Sequence, residues 1–146
     1  MLIEDKYSPI AVAALRIALG IMFIAHSLYL KLIVFTLQGT AQFFESIGLP
    51  SSFAYFIFGI EAIGGIMLVL GLQARWVALA LAPVLAGATW AHWGNGWMFG
   101  YENGGWEYPL YLTVLALCQF ALGDGRYALS PSRGFMPARQ DEIALN

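Results

Sequence analysis

The stretch IAVAALRIALGIMFIAHSLYLKLIVF, residues 10–35, decides the fold. It is apolar throughout apart from Arg16, His26, Ser27 and Lys31, and it exceeds the roughly 20 residues that a helix needs to cross a bilayer. Ser8 stands where an N-cap belongs, and Pro9 at the first helical position, where its missing N–H costs nothing. The segment reads as a membrane helix and not as a cleaved leader. It is too long for one, Arg16 interrupts it, and its amino-terminal flank carries Glu4 and Asp5 beside Lys6.

Three more apolar stretches follow. The second opens after Pro50-Ser51-Ser52 and closes at Gly71, a glycine of the helix-ending kind. Gly71 to Ala74 leaves room only for a tight antiparallel turn, so the third starts at Arg75-Trp76 and runs to about Trp93, with Pro83 as an expected kink. The fourth begins near Trp106-Glu107 and ends at Leu122, before Gly123-Asp124-Gly125-Arg126. The expected architecture is all-α, a transmembrane four-helix bundle with spans at about 10–35, 52–71, 75–93 and 106–122. It forms one domain over 1–131, with a polar tail at 132–146. Lys6, Arg75, Arg126, Arg133 and Arg139 share the face of the termini, against Lys31 alone on the other. Both termini are therefore expected to be cytoplasmic, in a multi-pass inner-membrane protein.

Composition agrees and excludes. The 146 residues are 60% hydrophobic and 11% charged, with a mean hydropathy of +0.69, far from the roughly one-quarter charged residues of a soluble domain. Seven scattered Lys and Arg make no basic stripe for nucleic acid. Cys118 alone forms neither an intramolecular disulfide nor a CxxC pair, so redox chemistry must come from a bound cofactor or a partner; the thiol itself reads as a small buried hydrophobe.

Ionisable groups within apolar spans are the informative residues, because each costs about 2.5–3.5 kcal/mol at the bilayer centre unless it faces protein or water. Arg16, His26, Glu61, His92 and Glu107 are such groups. Counting along the helices sets His26, His92 and Glu107 at one level near the outer leaflet, Glu61 lower and Arg16 deeper, so that all five are expected to look into one pocket. Arg16, Gly20, Phe23 and Ser27 form one stripe, as do Glu61, Gly64, Gly65 and Leu68, and Ala78, Ala82 and Ala86 offer a small-residue face. Arg16 is the natural partner of Glu61, with a histidine as the alternative, and the plainer reading is a buried pair that fixes helix register. Lys31 is expected to snorkel to the headgroups. Glu107 has a plainer reading as a cap at its own helix start. Four of the five tryptophans fall between Trp90 and Trp106, which reads as an interfacial aromatic belt or as a cap over a pocket.

These residues resemble a known family. Leu15-Arg16-Ile17-Ala18-Leu19-Gly20, then His26 and Lys31, then Phe43 to Pro50 resemble the opening of the DoxX/DoxD-like membrane proteins. Gly59 to Gly65 with Leu70-Gly71-Leu72 resembles the second helix of that family, Ala91-His92 its third, and Tyr101 to Pro109 with Gly123 to Tyr127 its fourth and exit. The likeness spans about residues 10–131, with Ser27 standing where the family often has glycine. It implies a small bundle in the inner membrane. DoxD-type members form the membrane part of a thiosulfate:quinone oxidoreductase, and others associate with soluble partners in oxidative-stress complexes.

The resulting expectation is an integral-membrane subunit of a quinone-linked oxidoreductase. Quinone carbonyls would accept hydrogen bonds from His26 or His92 beside Trp93, Glu61 or Glu107 would relay protons, and Arg16 would hold the carboxylate charged. Electrons would come from another subunit, and the small-residue faces suit a homo-oligomer. A haem held by the two histidines, or a metal on His26, His92 and Glu107, is a variant of this reading. A non-catalytic anchor for soluble redox partners and a small-molecule carrier are the alternatives from other classes.

Overall fold

The computed structural model describes the backbone of residues 3–133 and the side chains of residues 7–133. Nearly all of the expected polar tail, from residue 134 onward, lies outside the described residues. The chain is all-α. Helix α1 spans Ile3–Ile24 and passes directly into a π-helical segment, Ala25–Val34. Helix α2 spans Thr36–Ser46, α3 Ser51–Leu70, α4 Ala74–Ala91 and α5 Glu107–Leu122, with a single 3₁₀ turn at Trp93–Asn95 between the last two. Residues Tyr7–Val34, α3 and α4 are each long and apolar enough to cross a membrane, while α5 is apolar but shorter, at 16 residues. The protein is a multi-pass membrane protein.

Three features depart from the sequence reading. Helix α1 begins at Ile3, so Pro9 lies inside the helix instead of at its first position. Its carbonyl accepts the Arg126 N–H at 2.8 Å, so this turn is braced by the exit loop of the chain. The backbone also does not end one helix at Phe35 and idle until Pro50. Thr36 takes a left-handed φ of 60°, the chain bends, and α2 follows at once. Finally, the last ten residues of the first span widen into π geometry, closed by a Phe35 N–H to Leu30 C=O bond of 2.8 Å. Ser27 sits at the start of that segment, fully buried, and donates to the carbonyls of Phe23 at 2.8 Å and Ile24 at 3.2 Å. A hydroxyl returned to the preceding turn competes for the helix ladder, as expected where the winding changes.

Helix α1 packs on α3 and α5, and α4 packs on the same two. The π segment and α2 lie together against the amino-terminal half of α3. The core is built from Leu19 and Phe23 of α1, Leu68 of α3, Ala74, Ala78, Leu81, Ala82 and Leu85 of α4, and Leu112 and Ala116 of α5. The first two stripes read from the sequence are buried: Arg16, Gly20 and Phe23 on α1 with Ser27 in the π segment, and Glu61, Gly64, Gly65 and Leu68 on α3. On α4 Ala78 and Ala82 are buried, whereas Ala86 is exposed. Cys118 is exposed on α5 rather than buried in the core.

The α1–α3 crossing depends on Gly20 facing Gly65. A Cβ at Gly20 would stand 2.7 Å from the Gly65 carbonyl oxygen and 2.9 Å from the Val69 nitrogen, both backbone atoms that cannot step aside. Gly59, on the same helix as Gly65, has nothing within 4 Å of such a Cβ. Gly20→Val should therefore lower stability by about 1–3 kcal/mol through overpacking, while Gly59→Ala leaves it unchanged or raises it. Thermal unfolding of the two variants in the same detergent checks this.

Candidate functional site

The five intramembrane ionisable groups do not meet in one pocket. They fall into separate clusters, each with a partner that hydropathy did not reveal. Glu61 pairs with Lys31, not with Arg16: the Lys31 ammonium bonds Glu61 Oε2, with both side chains largely withdrawn from the surface. The reason is local. The π segment brings Lys31 round to face α3, so the side chain expected to reach for headgroups turns inward to the carboxylate.

Arg16 is 1% exposed and lies at the other end of the molecule. Its Nη1 donates to the Asp124 carbonyl at 2.8 Å, and the Asp124 carboxylate is its countercharge. Asp124 is itself buried, and its carboxylate ties two further segments: Oδ1 accepts the Arg75 backbone N–H at 2.9 Å and the Ser132 hydroxyl at 3.0 Å, and Oδ2 accepts the Ser132 N–H. It thus caps the start of α4 from 49 residues away. The neighbouring connection is pinned as well. Gln73 N–H donates to the Ser130 carbonyl at 2.8 Å, and Leu72 pairs with Ser130 in a single parallel bridge.

His26 and Glu107 do come together, in an open apolar groove of about 830 Å³ between the π segment and α5. His26 and Leu30 form one wall, and Tyr108, Leu110, Tyr111 and Val114 the other. Trp97 and Phe99 close one end beside Glu107. The His26 ring stacks on Tyr108 at 6.1 Å between centroids, and Phe99 leans on the same ring at 5.2 Å. Tyr111 and Val114 are half or more exposed, so the groove opens sideways along the α5 surface.

The tautomer of His26 follows from its partner. Its Nδ1 lies 2.9 Å from the Met22 carbonyl oxygen, which can only accept, so Nδ1 carries the proton and Nε2 presents a lone pair in the neutral ring. Among the described residues Nε2 makes no hydrogen bond. His92 is held in the same way, with Nδ1 2.9 Å from the Ala88 carbonyl. It stands outside the groove, beside Phe43 and Gly104.

The Trp-rich connection is a folded loop that roofs this end. Trp106 N–H donates to Gly96 C=O and Glu107 N–H to Trp97 C=O, both at 3.1 Å, and Asn95 Nδ2 donates to the carbonyls of Asn103 and Gly104. Glu107 Oε1 accepts the Phe99 N–H at 2.9 Å, so this carboxylate ties the loop to the first turn of α5 while lining the groove. Trp93 is not in the groove; it stacks on Trp106 at 4.6 Å, and Trp97 meets the same ring edge-on. Among the described residues no three His, Cys, Asp or Glu side chains are gathered so as to hold a metal ion.

Sequence reasoning missed Lys31, Asp124, Tyr108 and Tyr111. Asp124 had a signal in its setting, an acid between two glycines just past a span. Lys31 stood out as a charge in the first apolar stretch, but its inward direction had no signal, because a ten-residue π segment leaves no mark in helical periodicity.

The chain belongs to the DoxX family, whose model matches residues 11–93. It is similar to the Bacillus subtilis (strain 168) protein named "Putative oxidoreductase CatD", with 38% identity over 128 residues, covering 87% of this chain and 90% of that one. No solved structure matches it.

Removing one member of a buried ion pair strands the other, at a cost of about 3–5 kcal/mol, whereas replacing both with apolar groups is close to neutral. Lys31→Met should therefore destabilise strongly, and the double variant Lys31→Met with Glu61→Met should recover most of the loss in thermal unfolding. Asp124→Ala should cost about 1–2 kcal/mol from the lost α4 cap alone, which the same measurement reads.

Proposed function

We propose that the chain is the integral-membrane subunit of a quinone-linked oxidoreductase, and that the groove between the π segment and α5 is where a quinone ring binds. The observation that carries this reading is the groove itself. It is apolar, opens sideways on the helix surface, and holds a stacked His–Tyr pair, one carboxylate and a second phenol. Ligand sites of this kind are largely apolar with a few placed polar groups. Family membership and the similar oxidoreductase support redox work in general.

A bound quinone supplies two-electron, two-proton chemistry. The residues of this chain handle the ring and the protons. Tyr108, with Phe99 and His26 against it, supplies the stacking surface, and Leu30, Leu110 and Val114 exclude water. His26 Nε2 exchanges a proton at a ring oxygen, and Glu107 is the adjacent carboxylate for onward transfer. Lys31 follows His26 by five residues, about one turn of π-helix. The Lys31–Glu61 pair is thus the next proton-bearing station along α1. Arg16 acts through Asp124 at the far end and positions helices without touching the groove. Trp93 braces Trp106 beneath the roof. Only one of the two histidines lines the groove, so the geometry favours a quinone over a bis-histidine haem.

In this reading α5 is the fourth crossing, both termini lie on the cytoplasmic side of the inner membrane, and the electron donor belongs to another subunit, since this chain carries no thiol pair. Exposed faces along α3 and α5 provide surface for that subunit or for a second copy.

Titrating purified protein in mild detergent with a short-chain quinone, in either redox state, should give saturable quenching of tryptophan fluorescence, because Trp97 lines the groove. Tyr108→Ala should weaken it about tenfold, a loss of roughly 1.4 kcal/mol, and His92→Ala should leave it unchanged. Folded wild-type protein without saturable binding would overturn the reading in favour of an anchor for soluble redox partners.

A further inference from the structure

The hydrogen-bonding groups of the groove are unequal, and the inequality selects between the redox forms of a ring. This inference rests on the quinone reading above and deepens it. His26 spends its only N–H on the Met22 carbonyl, so the neutral ring offers Nε2 as an acceptor. Glu107, as a carboxylate, is also an acceptor, with Oε1 partly used by the Phe99 N–H. Tyr108 and Tyr111 carry hydroxyls that both donate and accept, and the Trp97 indole only donates.

A quinone bears two carbonyl oxygens, which accept and never donate. It is served by the phenols and the indole, and it leaves His26 Nε2 facing an acceptor. A dihydroxy ring is served by the same phenols and indole, because its oxygens still accept. In addition it donates its own O–H groups to Nε2 and the carboxylate. Everything that holds the oxidised form therefore holds the reduced form, and two acceptors hold the reduced form alone.

We infer that the groove is specific for a hydroxyl-bearing aromatic ring, the hydroquinone form, and that His26 Nε2 is the residue that determines this preference. His26 is a ligand contact here, fixed by the Met22 carbonyl on one side and the Tyr108 ring on the other. Because the reduced form binds more tightly, the bound couple is easier to reduce than the free couple, and the protein draws electrons toward the site.

The test uses the whole protein in mild detergent, without oxygen, and isothermal titration calorimetry. The probes are tetramethyl-1,4-benzoquinone, its hydroquinone, and the 1,4-dimethoxy derivative of the same ring. Full methylation blocks addition of the exposed Cys118 thiol to the ring. The dimethoxy compound keeps the ring and both oxygens but has no O–H. The hydroquinone should bind about tenfold more tightly than either other probe, the worth of one good hydrogen bond. His26→Phe, which keeps a ring against Tyr108, should cut that ratio to the small part that the Glu107 carboxylate supplies while retaining binding, and an unchanged ratio would overturn the assignment to His26. Should His26→Phe fail to fold, Glu107→Gln, which keeps an oxygen for the Phe99 N–H, should retain most of the ratio, and loss of the ratio there would assign the preference to the carboxylate and overturn the inference. Equal affinity for all three probes would overturn the inference and leave the groove as a quinone site. Binding of none of them by folded wild-type protein would overturn both.

Discussion

A lysine and a glutamate withdrawn from water in the apolar part of a membrane protein are tolerable only against each other, and the Lys31–Glu61 pair constrains much of the structure around it. Helix α3 carries Glu61 on the same buried face as Gly64, which admits Leu81 of α4, and Gly65, which packs on α1. The crossing at Gly20 and Gly65 fixes the distance between the two helices. With that crossing set, the winding of α1 beyond Ile24 decides whether Lys31 can reach. The π segment makes the reach, Ser27 relieves the carbonyls at its start, and the positive φ of Thr36 releases the chain into α2.

The opposite end is held by a different device with the same logic. Arg16, buried from water, is met by the Asp124 carbonyl, while the Asp124 carboxylate caps α4 and binds Ser132. The exit loop is thereby drawn over the ends of α1 and α4 and paired with the α3–α4 connection. Between these two polar ties the π segment runs beside α5, and there the groove opens. Its polar groups sit at one end, where Glu107 fastens the tryptophan loop to the first turn of α5.

Much of the fold was legible. Apolar runs of membrane-spanning length, a glycine at the end of α3 and a four-residue turn into α4 are local features, and the expected spans end within two residues of the observed helices except at the start of α1, whereas α2 was not expected at all. Stripes with small residues predicted the buried faces of α1 and α3, since close packing without large side chains leaves a mark at helical spacing, while on α4 the stripe is buried at Ala78 and Ala82 but exposed at Ala86. The site was legible only as a set of residue types. His26 and Glu107 share the groove, but His92, Glu61, Arg16 and Trp93 do not, because depth along a helix says nothing about direction around it.

The sequence by itself determined that this is an all-α membrane protein of the DoxX kind, which residues carry charge into the apolar region, and that each of them must find a partner. Those conclusions need only hydropathy, length and the cost of an unpaired charge. Tertiary structure decided who pairs with whom. Winding residues 25–34 as π instead of α turns Lys31 toward α3, so Lys31 and not Arg16 reaches Glu61, and Arg16 is left to a backbone carbonyl 108 residues away.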